Sequence, residues 1–250
     1  MARRPDLHAA VPAFSDVADE YERGRATYPA DGVAWLCEAL GIGPRARVLD
    51  LAAGTGKLTR LLVAAGADVV AVEPLAEMRA GLTGVEALDG TAEAIPLADG
   101  LVDAVTVAQG FHWFDGERAL AEIHRVLTPG GGLGLIWNRA DTRVEWVARL
   151  DDVIVSAPHD DIPRFRRMAW RRAFETTERF TPLEERVFEH AVEADAETIR
   201  ARVESISFVA RLPEGERDAL LARVDELTAG LPERFPSPYR TFVYACRRVP

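Results

Sequence analysis

The chain has 250 residues, 48% of them hydrophobic and 28% charged, so one globular domain over residues 1–250 with a sizeable core is predicted. Its net charge of −10 argues against nucleic acid as a partner, because neutralising phosphates requires a basic surface. Two cysteines, Cys37 and Cys246, are too few for a zinc site, and no metal is expected. The sequence lacks both an apolar run of about 18 residues and an apolar signal segment, which predicts a cytoplasmic protein without membrane contact.

Two helices are predicted before the first strand. From Val11 to Arg25, Phe14 and Tyr21 fall on one apolar face of a helix, which the Tyr28-Pro29 step then breaks. A second amphipathic helix covers residues 31–40 and stops at a glycine. We predict that residues 11–40 form a helical cover over the site built by the strands that follow.

The segment 47–57 predicts a buried strand that ends in a glycine turn. Asp50 stands at the carboxyl end of this strand, and Gly54 and Gly56 let the backbone approach a ligand without interference from a Cβ atom. A helix with apolar residues at helical spacing follows and ends at Gly66. This strand, turn and helix predict a nucleotide-type cradle at the carboxyl edge of a doubly wound α/β sheet.

The residues of the turn discriminate between ligands. Thr59 stands where a dinucleotide fingerprint has its third glycine, and Leu51 and Leu58 occupy outer positions of a phosphate-binding loop. A carboxylate at Asp50 would repel a pyrophosphate but attract an ammonium group. A cofactor with an amino-acid end and a nucleoside end therefore fits better, and a nicotinamide dehydrogenase is the alternative.

The second predicted strand, residues 68–73, ends in Glu73. A carboxylate about 20 positions beyond the glycine turn is suited to accept hydrogen bonds from both hydroxyls of a ribose. Capping of the next helix is the structural alternative for Glu73. That short helix, residues 75–82, places Met78 toward the same edge of the sheet.

Strands are also predicted at 84–89 and 102–107, and the second of these leads into an aromatic run, residues 111–114. Four rings at the end of a strand are expected to line a pocket beside the reacting group. Gln109 and His112 are candidates for contact with cofactor or substrate. Packing of the aromatic side chains against the next helix, residues 116–127, is the alternative.

A strand at 133–137 precedes a change of composition, and we predict that residues 141–182 form a helical insertion on the substrate side. The cluster 164–172 is rich in arginine and is explained by a solvated charged face or, alternatively, by an anionic substrate. His159 has no further ligands at metal-binding spacing. Helices near 196–207 and 214–228 and strands at 186–192 and 239–247 complete the predicted chain.

The run Val-Leu-Asp-Leu-Ala-Ala-Gly-Thr-Gly, residues 48–56, closely resembles the first motif of class I S-adenosylmethionine-dependent methyltransferases. Ala52 stands where that family usually has a glycine. The Phe-His-Trp-Phe run at 111–114 resembles a subgroup that methylates small molecules. The resemblance implies an α/β fold with a doubly wound, mostly parallel, seven-stranded sheet, the amino-terminal cover and an insertion after the fifth strand.

The resemblance also implies a set of cofactor contacts and a reaction. Cofactor-binding residues are expected to be Tyr21, Arg25, Asp50, Ala52, Gly54, Thr55, Gly56, Glu73, Pro74, Met78, Thr91, Ala92, Glu93, Gln109 and His112. The expected reaction moves a methyl group from S-adenosylmethionine to an O, N or C nucleophile of a small molecule, leaving S-adenosylhomocysteine.

No catalytic base is assigned, and His112, Tyr28 and His159 are the candidates. The alternative functions are a cofactor-binding module without transfer activity and a methyltransferase that acts on protein or nucleic acid. An anionic small molecule is a candidate acceptor, and a monomer or a homodimer is expected.

Overall fold

The computed structural model describes Val11, residues 18–158 and residues 169–250. The strands are β1 Arg47–Leu51, β2 Asp68–Val72, β3 Glu86–Leu88, β4 Val102–Ala108, β5 Leu127–Ala140, β6 Glu184–Ala194 and β7 Phe235–Arg247. They form one sheet in the order β3-β2-β1-β4-β5-β7-β6. The strands from β3 to β5 in this order run parallel to one another, and β7 is antiparallel to both β5 and β6. This architecture confirms the predicted fold class.

The helices of the described residues flank this sheet. They are α1 Ala18–Gly24, α2 Ala30–Leu40, α3 Lys57–Ala64, α4 Ala76–Arg79, α5 Gly116–Val126, α6 Glu145–Val155, α7 Arg172–Thr176, α8 Ala196–Glu204, α9 Ser207–Ala210 and α10 Glu214–Thr228. Within the described ranges, none of them has the length and apolar character needed to cross a membrane.

The strand order reverses between β1 and β4, which places a crevice at their carboxyl ends. From β1 the chain winds outward through β2 to β3 on one side, and it returns to β4 on the other side. Ligands of doubly wound sheets bind at such a reversal point. The turns after β1, β2 and β4 therefore meet at one edge, as the sequence predicted.

Several predicted boundaries differ from the structure, most clearly those of the helix after β2 and of the fifth strand. The helix predicted at 75–82 is the single-turn α4, because Gly81 and the following turn end it early. The fifth strand is longer than predicted and begins at Leu127, which pairs with Val102 before a register irregularity. The Pro-Gly-Gly sequence is thus accommodated inside β5 rather than separating α5 from the strand.

The aromatic run divides between core and cleft. Phe111 is fully buried and packs against Phe174 and Trp170, with ring centroids 5.0 and 6.2 Å away. Trp113 and Phe114 instead reach the cleft at the sheet edge. Because the run begins with a turn of 3₁₀ helix, its side chains point in different directions and cannot all line one pocket.

The described residues of the segment 141–182 pack in two places away from the carboxyl edge of β1 and β4. Helix α6 packs with α8, α9 and α10 in a separate apolar cluster. Trp170 and Phe180 are buried in the main core beside β5. None of the described residues of this segment lines a cleft at that edge. Residues 159–168 lie outside the described residues, so the predicted insertion over the substrate side stays a prediction.

Candidate functional site

The turn after β1 has an alternating left-handed backbone. The φ angles are +56° at Ala52, +59° at Gly54 and +86° at Gly56. A Cβ atom added to Gly54 would have no heavy atom within 4 Å, so this position faces open space in the cleft. A Cβ atom at Gly56 would lie 2.8 Å from the terminal Cδ2 of Leu82, and the φ of +86° itself favours glycine there.

Asp50 does not face the cleft, contrary to its predicted contact with the cofactor. Its side chain is 0% exposed, and its two oxygens accept hydrogen bonds from the hydroxyls of Thr59 at 2.6 Å and Thr106 at 3.1 Å. Burial raises the pKa of Asp50 to about 6. The carboxylate joins β1, α3 and β4 behind the turn, because β1 is buried on both faces as far as its last residue.

Glu73 lies where the sequence placed it, at the end of β2 beside the glycine turn. One carboxylate oxygen accepts a hydrogen bond from the Gly54 amide at 2.9 Å, and the other accepts one from Leu75 at 2.9 Å. The side chain is only 5% exposed, and burial raises the pKa of Glu73 to about 7. Each oxygen keeps a second lone pair, so Glu73 can hold the turn and still accept hydrogen bonds from a ligand.

A first cleft of about 760 Å³, including its open mouth, lies between the turns after β1, β2 and β4. Its acidic groups, Glu73 and Glu93, are both buried, and the rest of its wall is largely apolar. The wall contains Val11, Tyr21, Leu51, Ala52, Gly54, Glu73, Pro74, Leu75, Met78, Gly90, Thr91, Ala92, Glu93, Ala108, Gln109, Gly110, Trp113 and Phe114.

Glu93 connects two walls of the first cleft. Its carboxylate accepts a hydrogen bond at 2.9 Å from the backbone of Asp115, immediately after the aromatic run. Thr91 and Ala92 are buried beside it. Burial raises the pKa of Glu93. The loop 90–93 is therefore fixed against Trp113 and Phe114, at the end of the cleft away from the amino-terminal helix.

A second cleft of about 570 Å³ adjoins the first and shares five residues with it. The shared residues are Tyr21, Ala52, Gly54, Ala108 and Gln109. The remaining wall consists of Arg25, Ala26, Tyr28, Ala53, Thr55, Lys57, Leu58, Asn138, Arg202 and Tyr239. Three of these side chains are basic and none is acidic, so the two clefts have opposite electrostatic character.

The candidates for a catalytic base have different positions. His112 lines neither cleft; its Nδ1 accepts a hydrogen bond from Trp137 at 3.3 Å, and burial lowers its pKa to about 3. Tyr28 does line the second cleft, and burial raises its pKa well above the usual value. His159 lies outside the described residues. The cofactor contact predicted for His112 is thus not present, since the ring turns toward Trp137.

Helix α1 is fixed to the glycine turn by Glu22, a residue that the sequence did not single out. The Glu22 carboxylate accepts hydrogen bonds from Thr55 at 2.5 Å and Arg60 at 2.7 Å, and Lys57 Nζ donates to the Glu22 carbonyl at 2.7 Å. Through these bonds the described part of the predicted cover lies against the clefts, with Tyr21 at both and Arg25 at the second.

Two residues of the second cleft, Arg202 and Tyr239, come from distant elements and were not predicted. Arg202 belongs to α8, and its guanidinium carbon lies 5.5 Å from the centre of the Tyr239 ring on β7. A signal for this packing is Gly24, since a Cβ atom there would lie 2.1 Å from the Arg202 backbone nitrogen. A glycine at the end of α1 thus marks a close contact, but its partner cannot be read from the sequence.

Comparison with known proteins identifies the family. A model of the methyltransferase domain matches residues 49–135. A methyltransferase-like protein of Schizosaccharomyces pombe is 33% identical over 246 residues, and the alignment covers 94% of this chain and 95% of that protein. The chain belongs to the methyltransferase family. Together with the strand order and the glycine turn, this confirms the resemblance to class I S-adenosylmethionine-dependent methyltransferases.

Other relatives of this methyltransferase agree over shorter ranges or by fold alone. An uncharacterized methyltransferase of Mycobacterium tuberculosis is 53% identical over 146 residues. The match spans 57% of this chain and only 58% of that relative. The structure of a candidate type II methyltransferase from Anaeromyxobacter dehalogenans superimposes with a TM-score of 0.62 at 24% identity, covering 89% of this chain and 96% of that one.

Ala52 of this methyltransferase carries backbone strain, because its φ of +56° is disfavoured for a residue with a Cβ atom. The left-handed conformation costs alanine about 1–2 kcal/mol. Replacing alanine with glycine removes this strain, but the more flexible unfolded chain offsets about 0.5–1 kcal/mol of the gain. Ala52→Gly is therefore expected to raise the free energy of unfolding by roughly 0.5–1 kcal/mol, or about 1–4 °C in Tm. Ala53→Gly, at a position outside the left-handed region, is the control and is expected to lower Tm. A lower Tm for both variants would contradict the assignment of strain.

Proposed function

We propose that this methyltransferase binds S-adenosylmethionine across the two clefts and transfers its methyl group to a small molecule in the second cleft. The adenosine part suits the first cleft, where Glu73 can accept hydrogen bonds from the ribose hydroxyls and Trp113 and Phe114 provide apolar contact. The open space in front of Gly54 fits a ligand that approaches the backbone closely. The single observation that carries the proposal is the convergence of Glu73 and the Gly54 amide, 2.9 Å apart, at the cleft.

The methionine part is expected to extend past the shared residues toward the second cleft. There the positive charge of Arg25 favours a carboxylate, and Tyr21 lies between the two clefts. The cationic guanidinium of Arg25 also lies 5.2 Å from the centre of the Tyr21 ring, which orients both side chains. Gln109, with a φ of +59°, projects from the end of β4 into the same shared wall.

The bound cofactor would supply a methyl group that is already activated on a positively charged sulfur. The chain's own contribution is to hold the acceptor in line with that group and to keep water out. Orientation of two reactants can lower a barrier by about 7–11 kcal/mol, so a dedicated acid or base is not required for catalysis. The wall shared by the two clefts includes Ala52, Ala108 and Gln109. It would bring the cofactor and the methyl acceptor together.

The dimensions of the second cleft support a small acceptor over a protein or a nucleic acid. Asn138 closes one side of this cleft, because its amide donates hydrogen bonds to the carbonyls of Ala26 and Thr27 at 3.1 and 2.9 Å. Arg202 and Tyr239 close the other side. The net charge of −10 also disfavours a nucleic acid.

Calorimetry and methyl transfer together test this function. We expect S-adenosylhomocysteine to bind at micromolar concentration or below, and nicotinamide dinucleotide to bind at least about 100-fold more weakly, since Glu73 and the apolar wall disfavour a pyrophosphate. Radioactive methyl groups should then pass from S-adenosylmethionine to low-molecular-weight compounds. Tight binding without transfer to any class of acceptor would favour a binding module, and preference for the dinucleotide would refute the proposal.

A further inference from the structure

The second cleft concentrates positive charge that the folded protein does not neutralise. Among the described residues, the contacts of Arg25 and Arg202 are with Ser205, Tyr21 and Tyr239, and none is an ion pair with a carboxylate. Lys57 differs from them, because it donates to the backbone of Glu22 and lies 3.5 Å from its carboxylate. The two arginines are therefore the cations available to a ligand in this cleft.

The donors of these arginines are only partly used. Arg25 Nε and Nη2 donate to the side chain and the backbone of Ser205 at 2.9 and 3.1 Å, which fixes the guanidinium at the cleft wall. Arg202 Nη1 is buried and has no hydrogen-bond partner in the part of the chain that the structure describes. A buried charged donor without a partner is unfavourable, so the guanidinium of Arg202 favours an anionic ligand beside it.

Two cations in one cleft call for two anions. The carboxylate of the cofactor's methionine part accounts for one charge, and Arg25, beside the shared residue Tyr21, is placed for it. Arg202 lies on α8, which packs against the end of α1 next to Arg25, and it lines the second cleft but not the first. The phenol ring of Tyr239 stacks on Arg202 and restricts where its remaining donors point. The acceptor is the other ligand of this cleft, so an anion bound by Arg202 would belong to it.

Among the described residues, the second cleft offers no histidine or carboxylate that could act as a base, and this constrains the nucleophile. Tyr28 is a poor base because burial raises its pKa, and its phenol stays protonated near neutrality. His112 is turned away from the cleft and has a pKa of about 3, too low to remove a proton from a phenol or an ammonium group. A carboxylic acid has an ordinary pKa near 4 and is already ionised, so it needs no base.

We propose that the acceptor is a carboxylate, held by Arg202 and methylated on a carboxyl oxygen to give a methyl ester. This inference rests on the proposed function. In the transfer, a lone pair of the carboxylate oxygen forms the new bond to the methyl carbon while the bond from that carbon to sulfur breaks. The bonding pair stays on sulfur, which becomes a neutral thioether, and the acceptor loses its negative charge. No proton moves.

The chemical stability of the product tests the proposal directly. The protein is incubated with S-adenosyl[methyl-¹⁴C]methionine and, separately, with panels of small carboxylic acids, phenols and primary amines, and with the ultrafiltrate of a bacterial extract. Methyl esters release volatile labelled methanol in mild alkali, whereas methyl ethers and methylamines keep their label. We expect the transferred label to become volatile. Alkali-stable product, or no product from a protein that binds S-adenosylhomocysteine tightly, would overturn the carboxylate assignment.

Substitution of Arg202 then tests its role. Arg202→Gln is expected to raise KM for the carboxylic acid that accepts the methyl group by about 10- to 100-fold. Its Kd for S-adenosylhomocysteine should change by less than about threefold. Arg202→Lys should recover part of the loss. Arg200→Gln is the matched control, because Arg200 lies on the same helix but bonds to Asp225 and Glu204 outside both clefts. An unchanged KM in Arg202→Gln would refute the assignment, and weak cofactor binding by the unmodified protein would instead refute the proposed function.

Discussion

Gly54→Val is expected to abolish binding of S-adenosylhomocysteine, with a loss of about 100-fold or more in affinity. The Cβ position of Gly54 faces open space at the point where the two clefts meet, so a branched side chain there would occupy the volume assigned to the cofactor. A 100-fold loss corresponds to about 2.8 kcal/mol and is readily measured by calorimetric titration.

Valine at a position with φ of +59° also strains the backbone, and a control must separate this effect from obstruction of the cleft. Gly100 provides that control. Its φ is +60°, a Cβ atom there would likewise have no heavy atom within 4 Å, and it lies outside both clefts. Gly100→Val should therefore lose a similar amount of stability and keep its affinity. Equal affinities for Gly54→Val and the unmodified protein would show that the cofactor does not pass over this turn.

The position of the first cleft could be predicted because it follows from local sequence and one rule of topology. The carboxyl ends of parallel strands meet at one edge, so the turn containing Gly54, Glu73 after β2 and Gln109 after β4 had to converge once these strands were recognised. The spacing of the apolar residues was sufficient to recognise these strands. It did not reveal the direction of each side chain, which is why Asp50, at the end of its strand, was expected in the cleft and lies buried behind it.

The second cleft could not be predicted, because its residues are brought together by long-range packing. Arg202 and Tyr239 are contributed by α8 and β7, far along the chain from the amino-terminal helix that they face. The hypothesis of an anion site in the arginine-rich segment 164–172 rested on composition alone. Within its described part, Arg171 pairs with Glu185 and lies 4.9 Å from the centre of the Tyr244 ring, away from both clefts. Residues 164–168 lie outside the described residues, so the hypothesis of an anion site in this segment stays a prediction.

Glu73→Gln is expected to weaken binding of S-adenosylhomocysteine by about 30- to 150-fold, which corresponds to the 2–3 kcal/mol typical of hydrogen bonds to a charged group. An amide keeps the shape of the side chain but offers a single acceptor oxygen. It cannot serve the Gly54 and Leu75 amides together with two ribose hydroxyls. Glu122→Gln is the matched control, since that carboxylate also accepts from a backbone amide, that of Ile95 at 2.9 Å, but lies outside both clefts.

The pH dependence of the same binding reaction separates a contact with the ribose from a purely structural role for Glu73. The pKa of Glu73 in the unliganded protein is about 7, and hydroxyl donors favour its ionised form, so the ligand must lower this pKa when it binds. Below pH 7 the protein therefore has to lose a proton on binding, and affinity should fall by up to tenfold for each pH unit from 7 to 5.5. Above pH 7 this dependence disappears.

Glu73→Gln has no proton to lose and should show a flat profile over the same range, whereas Glu122→Gln should follow the unmodified protein. If the affinity of Glu73→Gln still falls with pH below 7, another group titrates and Glu73 does not bind the ribose.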